Sequence, residues 1–164
     1  MSAATPAQAS GNVRLRPGRV DEADALWVLR TRCVRELCSA AYPPEVIAPW
    51  AASPPPAQYA GLIAQGGGVV AEDGAGQVLG YGIIDVANNE IDALFVDPAC
   101  GGRGIGQILM QALFALADPS RPLMLSASLN AVAFYQRCGF RALREEAYPH
   151  PSGIALASVR MQRP

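Results

Sequence analysis

The chain reads as an α/β protein built on a central, mostly antiparallel, twisted sheet of about seven strands with helices on both faces. Its 164 residues fit one domain, a length that buries roughly 70% of the unfolded surface. Hydrophobic residues make up 51% of the chain and charged residues 16%, enough apolar surface to offset ordering entropy. Helical patterns come first, then a three-strand meander, then alternating strands and helices closed by a strand pair, an order that requires a mixed sheet covered on both sides.

Residues 1–11 are small and polar and are expected to form a disordered tail, with the single domain over 12–164 and a first strand near Val13 to Arg16. Asp21 precedes apolar residues at Leu26, Leu29, Cys33 and Leu37, near helical spacing, with an acidic first turn that suits the helix dipole. Pro43 and Pro44 open a short helix through Trp50; Ser53-Pro54-Pro55-Pro56 interrupts it, and Ala57 to Ala64 resumes the pattern. Val69 to Glu72 and Gln77 to Val86 form a hairpin across Asp73-Gly74-Ala75-Gly76. Asn88-Asn89 turns into a third strand, Glu90 to Val96, which Asp97-Pro98 ends. From Gly104, the residues Ile105, Ile108, Leu109, Ala112, Leu113 and Leu116 make the apolar stripe of a helix. Leu123 to Ser126 is a buried strand and Ala131 to Cys138 a helix stopped by Gly139. Phe140 to Ala147 and Ile154 to Met161 are the last strands.

Composition excludes several functions. Thirteen basic residues oppose fourteen acidic ones, a net charge of −1 without a basic patch, so no nucleic-acid partner is expected. All thirteen are arginine, which rules out a Schiff-base lysine and the lysine of a P-loop. Cys33, Cys38, Cys100 and Cys138 lack metal or disulfide spacing, and His150 is the single histidine, so no metal is expected. No signal peptide and no run of roughly 20 apolar residues is visible, and a cytoplasmic protein without membrane contact is expected.

The chemistry centres on Gly101-Gly102-Arg103-Gly104-Ile105-Gly106, between a strand and a helix. Glycines let an anion approach the unpaired N–H groups and partial positive charge of a helix N-terminus. Neither the dinucleotide fingerprint nor the P-loop template matches, since Gln107 and Ile108 stand where the P-loop needs Lys and Ser/Thr. The segment from Val96 to Gly106, followed downstream by Asn130-Ala131-Val132-Ala133-Phe134-Tyr135-Gln136-Arg137-Cys138-Gly139-Phe140, resembles the GCN5-related N-acetyltransferase (GNAT) family. The resemblance spans about residues 13 to 161 in element order and implies the GNAT-like fold. Gly101 departs from it, standing where that family usually carries Gln or Arg.

The resemblance implies acetyl-CoA as co-substrate, its pyrophosphate held at Gly102, Arg103, Gly104, Gly106 and Gln107. Its pantetheine arm would run along Leu94, Phe95 and Val96, on a strand that splays from Leu123 to Ser126. It places a general-acid tyrosine at Tyr135, which on spacing alone is equally a core residue, and makes Asn130 a CoA contact, compatible with an N-cap. Glu90 and Asp92, two apart on a strand, are expected on one face alongside Leu94 and Val96. The resemblance puts Glu90 where some members of the family carry a glutamate base acting directly or through water, with Asp92 or a water relay as the alternative base; the other reading is two solvated carboxylates at a strand start. His150 reads as a surface loop residue between the last two strands, and Cys100 and Cys138 as core filling. Tyr42, Trp50 and Tyr59 either line an acceptor pocket or pack the core. The implied activity is direct acetyl transfer in a ternary complex to a primary amine of a small molecule or peptide. The alternative is a non-catalytic CoA-binding or sensing module. Assembly is left open, with a homodimer among the options.

Overall fold

The computed structural model describes residues 13–150 and 153–164. The expected tail, residues 1–11, lies outside them. Seven strands form one sheet: β1 (Arg14–Pro17), β2 (Gly68–Glu72), β3 (Val78–Asp85), β4 (Glu90–Val96), β5 (Leu123–Ser128), β6 (Arg141–Pro149) and β7 (Ala155–Arg163), in the order β1-β2-β3-β4-β5-β7-β6. Every pairing is antiparallel except β4 with β5. That parallel step needs a crossover, which α4 (Ile105–Leu116) supplies.

The remaining helices are α1 (Ala23–Leu37), α2 (Pro44–Ala52), α3 (Gln58–Ala64) and α5 (Val132–Arg137). Helices α4 and α5 cover one face, where Ile105, Leu109, Met110 and Leu113 pack on residues of β2 to β5 and β7. On the other face, Leu26, Leu29 and Cys33 of α1, with Tyr59 and Ile63 of α3, close over Val70, Tyr81, Ile83 and Ala93. Helix α2 adds Trp50 and Ala51, which pack with Tyr42 and Leu156.

Packing shifted two expected stripes. On α4, Met110 is buried, whereas Ile108 and Leu116 are each 36% exposed. On α1, Leu37 is exposed, and Arg30 takes a place among the buried residues. The last two strands are longer than expected: Tyr148 and Pro149 belong to β6, opposite Leu156 and Ala155, so the loop between the strands is shorter than the sequence suggests. A 3₁₀ turn over Leu129–Ala131 precedes α5, whose N-cap position is Ala131. Asn130 therefore sits inside that turn and is not the N-cap. Gly139, at φ +97°, ends α5 as expected.

Candidate active site

Strands β4 and β5 touch only at their starts, with Glu90 opposite Met124 and Ile91 opposite Leu125. Beyond Ile91 the two diverge, opening the sheet next to Leu94, Phe95 and Val96. A cleft of about 450 Å³ begins at this opening and continues under α1 and α2; both strands line it, together with Asn130 and Tyr135. Of the backbone groups expected to face the opening, the Val96 carbonyl already accepts the Cys33 thiol at 3.2 Å.

The glycine turn follows β4. Gly102 and Gly104 have φ of +80° and +76°, left-handed conformations that cost a side-chain-bearing residue about 1–2 kcal/mol. Gly104 occupies the N-cap of α4, where no side chain caps the helix and no acidic residue enters the first turn. The first intrahelical bond that reaches back to Gly104 comes from Ile108, so the amides of Ile105, Gly106 and Gln107 are left for an anion. A Cβ on Gly106 would lie 3.1 Å from Phe134 Cζ, so α4 and α5 meet closely there. Arg103 and Gln107 are exposed beside the turn.

Ile83 pairs with Ala93 but Ile84 pairs with Ile91, which leaves Asp92 as the extra residue of a β-bulge. The alternation of β4 reverses there. Ile91 packs toward α4, Ala93 toward α1, and Leu94 and Val96 toward α4 again. The expectation that Glu90 and Asp92 share a face with Leu94 and Val96 is thus corrected: the carboxylates line the cleft and the two apolar side chains face α4. Asp92 is open to the cleft yet hemmed in by protein, and desolvation pushes its carboxyl above the usual aspartate range, with Gln58 favouring the ionised form and Glu90 and Asp85 opposing it. Glu90 is clamped by Arg160 of β7, at 2.8 and 3.4 Å, and Arg160 also reaches Ser126 Oγ at 3.1 Å.

Tyr135 combines the two roles that spacing left open. Its ring packs edge-on against Phe134 and Phe140, and the residue lines the cleft while only 8% exposed. Burial raises its phenol well above the ordinary range, so it is protonated throughout the physiological range. Asn130 lines the same cleft.

A family model described as the acetyltransferase (GNAT) domain matches residues 38–161. The chain belongs to the GNAT acetyltransferase family. Among curated relatives, the peptidyl-lysine N-acetyltransferase YjaB of Salmonella typhimurium is 33% identical over 60 residues, covering 37% of this chain and 41% of that protein. The match thus spans about two fifths of that relative's length. A GCN5-related N-acetyltransferase from Rhodopseudomonas palustris superposes with a TM-score of 0.82 at 25% identity, covering 92% of this chain and 94% of that one. The PaiA N-acetyltransferase of Thermoplasma acidophilum, solved with coenzyme A, shares the fold at 16% identity and a TM-score of 0.66, covering 92% and 98% of the two chains.

In this GNAT domain the helical cover forms the far wall of the cleft. Tyr42, Trp50 and Tyr59 are buried in the core packing of the cover and also line this cleft. The Tyr42 hydroxyl donates to the Ala157 carbonyl and accepts from the Leu129 amide at 2.9 Å, tying the cover to β7 and to the turn before α5. Tyr59 and Tyr81 share a hydrogen bond of 2.9 Å. His150 is corrected from a surface loop residue to a cleft residue: its Nε2 lies 3.5 Å from Ser53 Oγ, and burial, with the nearby Arg30, lowers its pKa. Sequence reasoning missed Arg30, Arg160, Gln58 and Ser53. Arg30 carried a signal, a charge within the apolar stripe of a helix; the others became neighbours only through strand and helix pairing. Cys100 is buried and Cys138 packs at the core edge, as expected of core filling. Among the described residues no group of His, Cys, Asp and Glu could hold a metal, and no helix is long and apolar enough to cross a membrane.

Proposed function

We propose that the protein transfers the acetyl group of acetyl-CoA to a primary amine of a small molecule or peptide, by direct attack in a ternary complex. The observation that carries this reading is the cleft that runs from the β4–β5 opening past Asp92 and Tyr135, on a strand whose end leads through the 3₁₀ turn Pro98–Cys100 and the glycine turn to the uncapped α4 N-terminus. The fit to acetyl-CoA rests on this chain's own donors. The amides of Ile105, Gly106 and Gln107 hold the pyrophosphate, with Gly102, Arg103 and Gly104 shaping the approach, and the exposed edge of Leu94 to Val96 pairs with the pantetheine arm.

Bound acetyl-CoA supplies a thioester carbon for attack. Asp92, directly or through water, accepts the proton the amine loses as its nitrogen bonds to that carbon. A backbone N–H near Leu94 polarises the carbonyl oxygen. The carbon–sulfur bond breaks, and Tyr135 gives its proton to the departing sulfur, leaving CoA thiol and the N-acetylated amine. Glu90, held by Arg160, sets the field around Asp92.

Purified protein incubated with acetyl-CoA and a panel of amines is expected to release free CoA thiol only when an acceptor is present. CoA binding without turnover on any amine would favour a sensing module, and no CoA binding by calorimetry would remove the proposal.

A further inference from the structure

Arg30 is a charge for which acetyl transfer in general has no use. It is 3% exposed on the buried side of α1, its guanidinium lies 4.1 Å from the centre of the Trp27 ring, and it lines the cleft. Nη2 donates to the Trp50 carbonyl at 3.0 Å and to Ser53 Oγ at 3.3 Å, while Nη1 is buried with no partner. Among the described residues no carboxylate pairs with it. An arginine does not shed its proton, and a buried unpaired cation is unfavourable, so an anion arriving here gains more than it would at the surface. Asp92 lies in the same cleft, and Tyr59 is within electrostatic reach of both Asp92 and Arg30. The cleft therefore carries a negative group beside the β4–β5 opening and a positive group under the cover.

We propose that the acceptor is a zwitterion of the free amino acid class, its amine directed to Asp92 and its carboxylate held by the Arg30 guanidinium. This rests on the acetyl-transfer reading above. Ser53 Oγ, which keeps its own 2.8 Å bond to the Trp50 carbonyl, yields its place on Nη2 to a carboxylate oxygen, and the second oxygen takes Nη1. Trp27 and Tyr59, packed edge-on against each other at 5.1 Å, form one apolar wall against which the side chain of the bound amino acid rests. A lysine side chain of a peptide brings no carboxylate near its amine and leaves Arg30 unpaired.

The test compares L-phenylalanine, L-methionine and L-tryptophan with their carboxamides and with Nα-acetyl-lysine amide, at equal concentrations of free amine. Both kcat/KM and calorimetric affinity for the CoA-loaded protein are read. At least one amino acid is expected to exceed its carboxamide by tenfold or more, chiefly through KM. Arg30→Gln is expected to lower kcat/KM for the acid at least tenfold more than for its carboxamide and so abolish that preference, and Arg30→Lys to restore part of it. Equal use of acid and amide, preference for the lysine amide, or an Arg30→Gln variant slowed equally on both would overturn the proposal and leave acetyl transfer standing. If no amine is acetylated, the acetyl-transfer reading fails, and the calorimetric acid-over-amide preference decides the subsite alone. Should Arg30→Gln not fold, the wild-type comparison decides.

Discussion

Ile91 and Ala93 stand two residues apart on β4, yet pack against opposite faces of the sheet, because Asp92 between them is bulged out of the ladder with β3. The bulge lets a carboxylate enter the cleft while the strand keeps an apolar residue in each core. It also separates the roles of the two acidic residues, since Glu90 precedes the bulge within reach of Arg160 and Asp92 does not.

Asp92→Asn is expected to lower kcat/KM about 10²- to 10⁴-fold if Asp92 is the base. The base must be ionised to work, and desolvation raises its pKa, so wild-type kcat/KM falls as pH drops through a value above the usual aspartate range. The Asn variant loses that acid limb, whereas Glu90→Gln, whose partner is Arg160, is expected to lose less than tenfold and keep it. A pH–rate profile of the three proteins checks both statements.

Tyr135→Phe keeps the ring packing against Phe134 and Phe140 and removes only the hydroxyl. A loss in kcat of about 10²-fold with unchanged CoA affinity is expected from the missing acid. Because burial raises the phenol pKa, the wild-type enzyme shows no alkaline limb from this residue up to the ordinary tyrosine range. Steady-state kinetics with calorimetry separates the two effects.

Gly101 has an ordinary extended backbone, φ −61° and ψ 149°, and a Cβ there meets only the Pro98 carbonyl, at 3.7 Å. Gly101→Arg therefore fits, and one added charge-assisted bond of about 1 kcal/mol tightens CoA about fivefold. Gly106→Val is expected to do the opposite, since its Cβ is already 3.1 Å from Phe134 Cζ and the larger branch pushes α5 from α4. Equilibrium CoA titrations of both variants read the two signs.

Asn89 is 1% exposed, at φ 52°, and its side-chain amide donates to the carbonyls of Asp118, Arg121 and Pro122 while its oxygen accepts the Asp118 amide at 2.8 Å. It joins the β3–β4 turn to the α4–β5 connection. Asn89→Ala removes these four part-buried bonds, whose backbone groups lie at a partly exposed connection that water can reach, and is expected to cost about 2–4 kcal/mol. The denaturant midpoint falls accordingly, while CoA affinity of the folded fraction is unchanged.

The sequence alone determined what depends on neighbours along the chain. Periodicity located the helices and strands, proline and glycine marked their ends, and Gly102 to Gly106 marked a glycine turn into a helix start with unpaired amides, because turn conformation and unpaired amides are local properties. Tertiary structure decided what depends on pairing. The reversal at Asp92 follows from the register between β3 and β4. The clamp on Glu90 comes from Arg160, 70 residues away, and His150 reaches Ser53 across 97 residues. The α1 stripe shows the boundary most directly: its period placed Leu26, Leu29 and Cys33 in the core, but a 3.6-residue period says nothing about the wall a neighbouring residue will meet. Only the closing of α1 and α2 over the cleft turned Arg30 from a surface charge into a buried cation with a free donor.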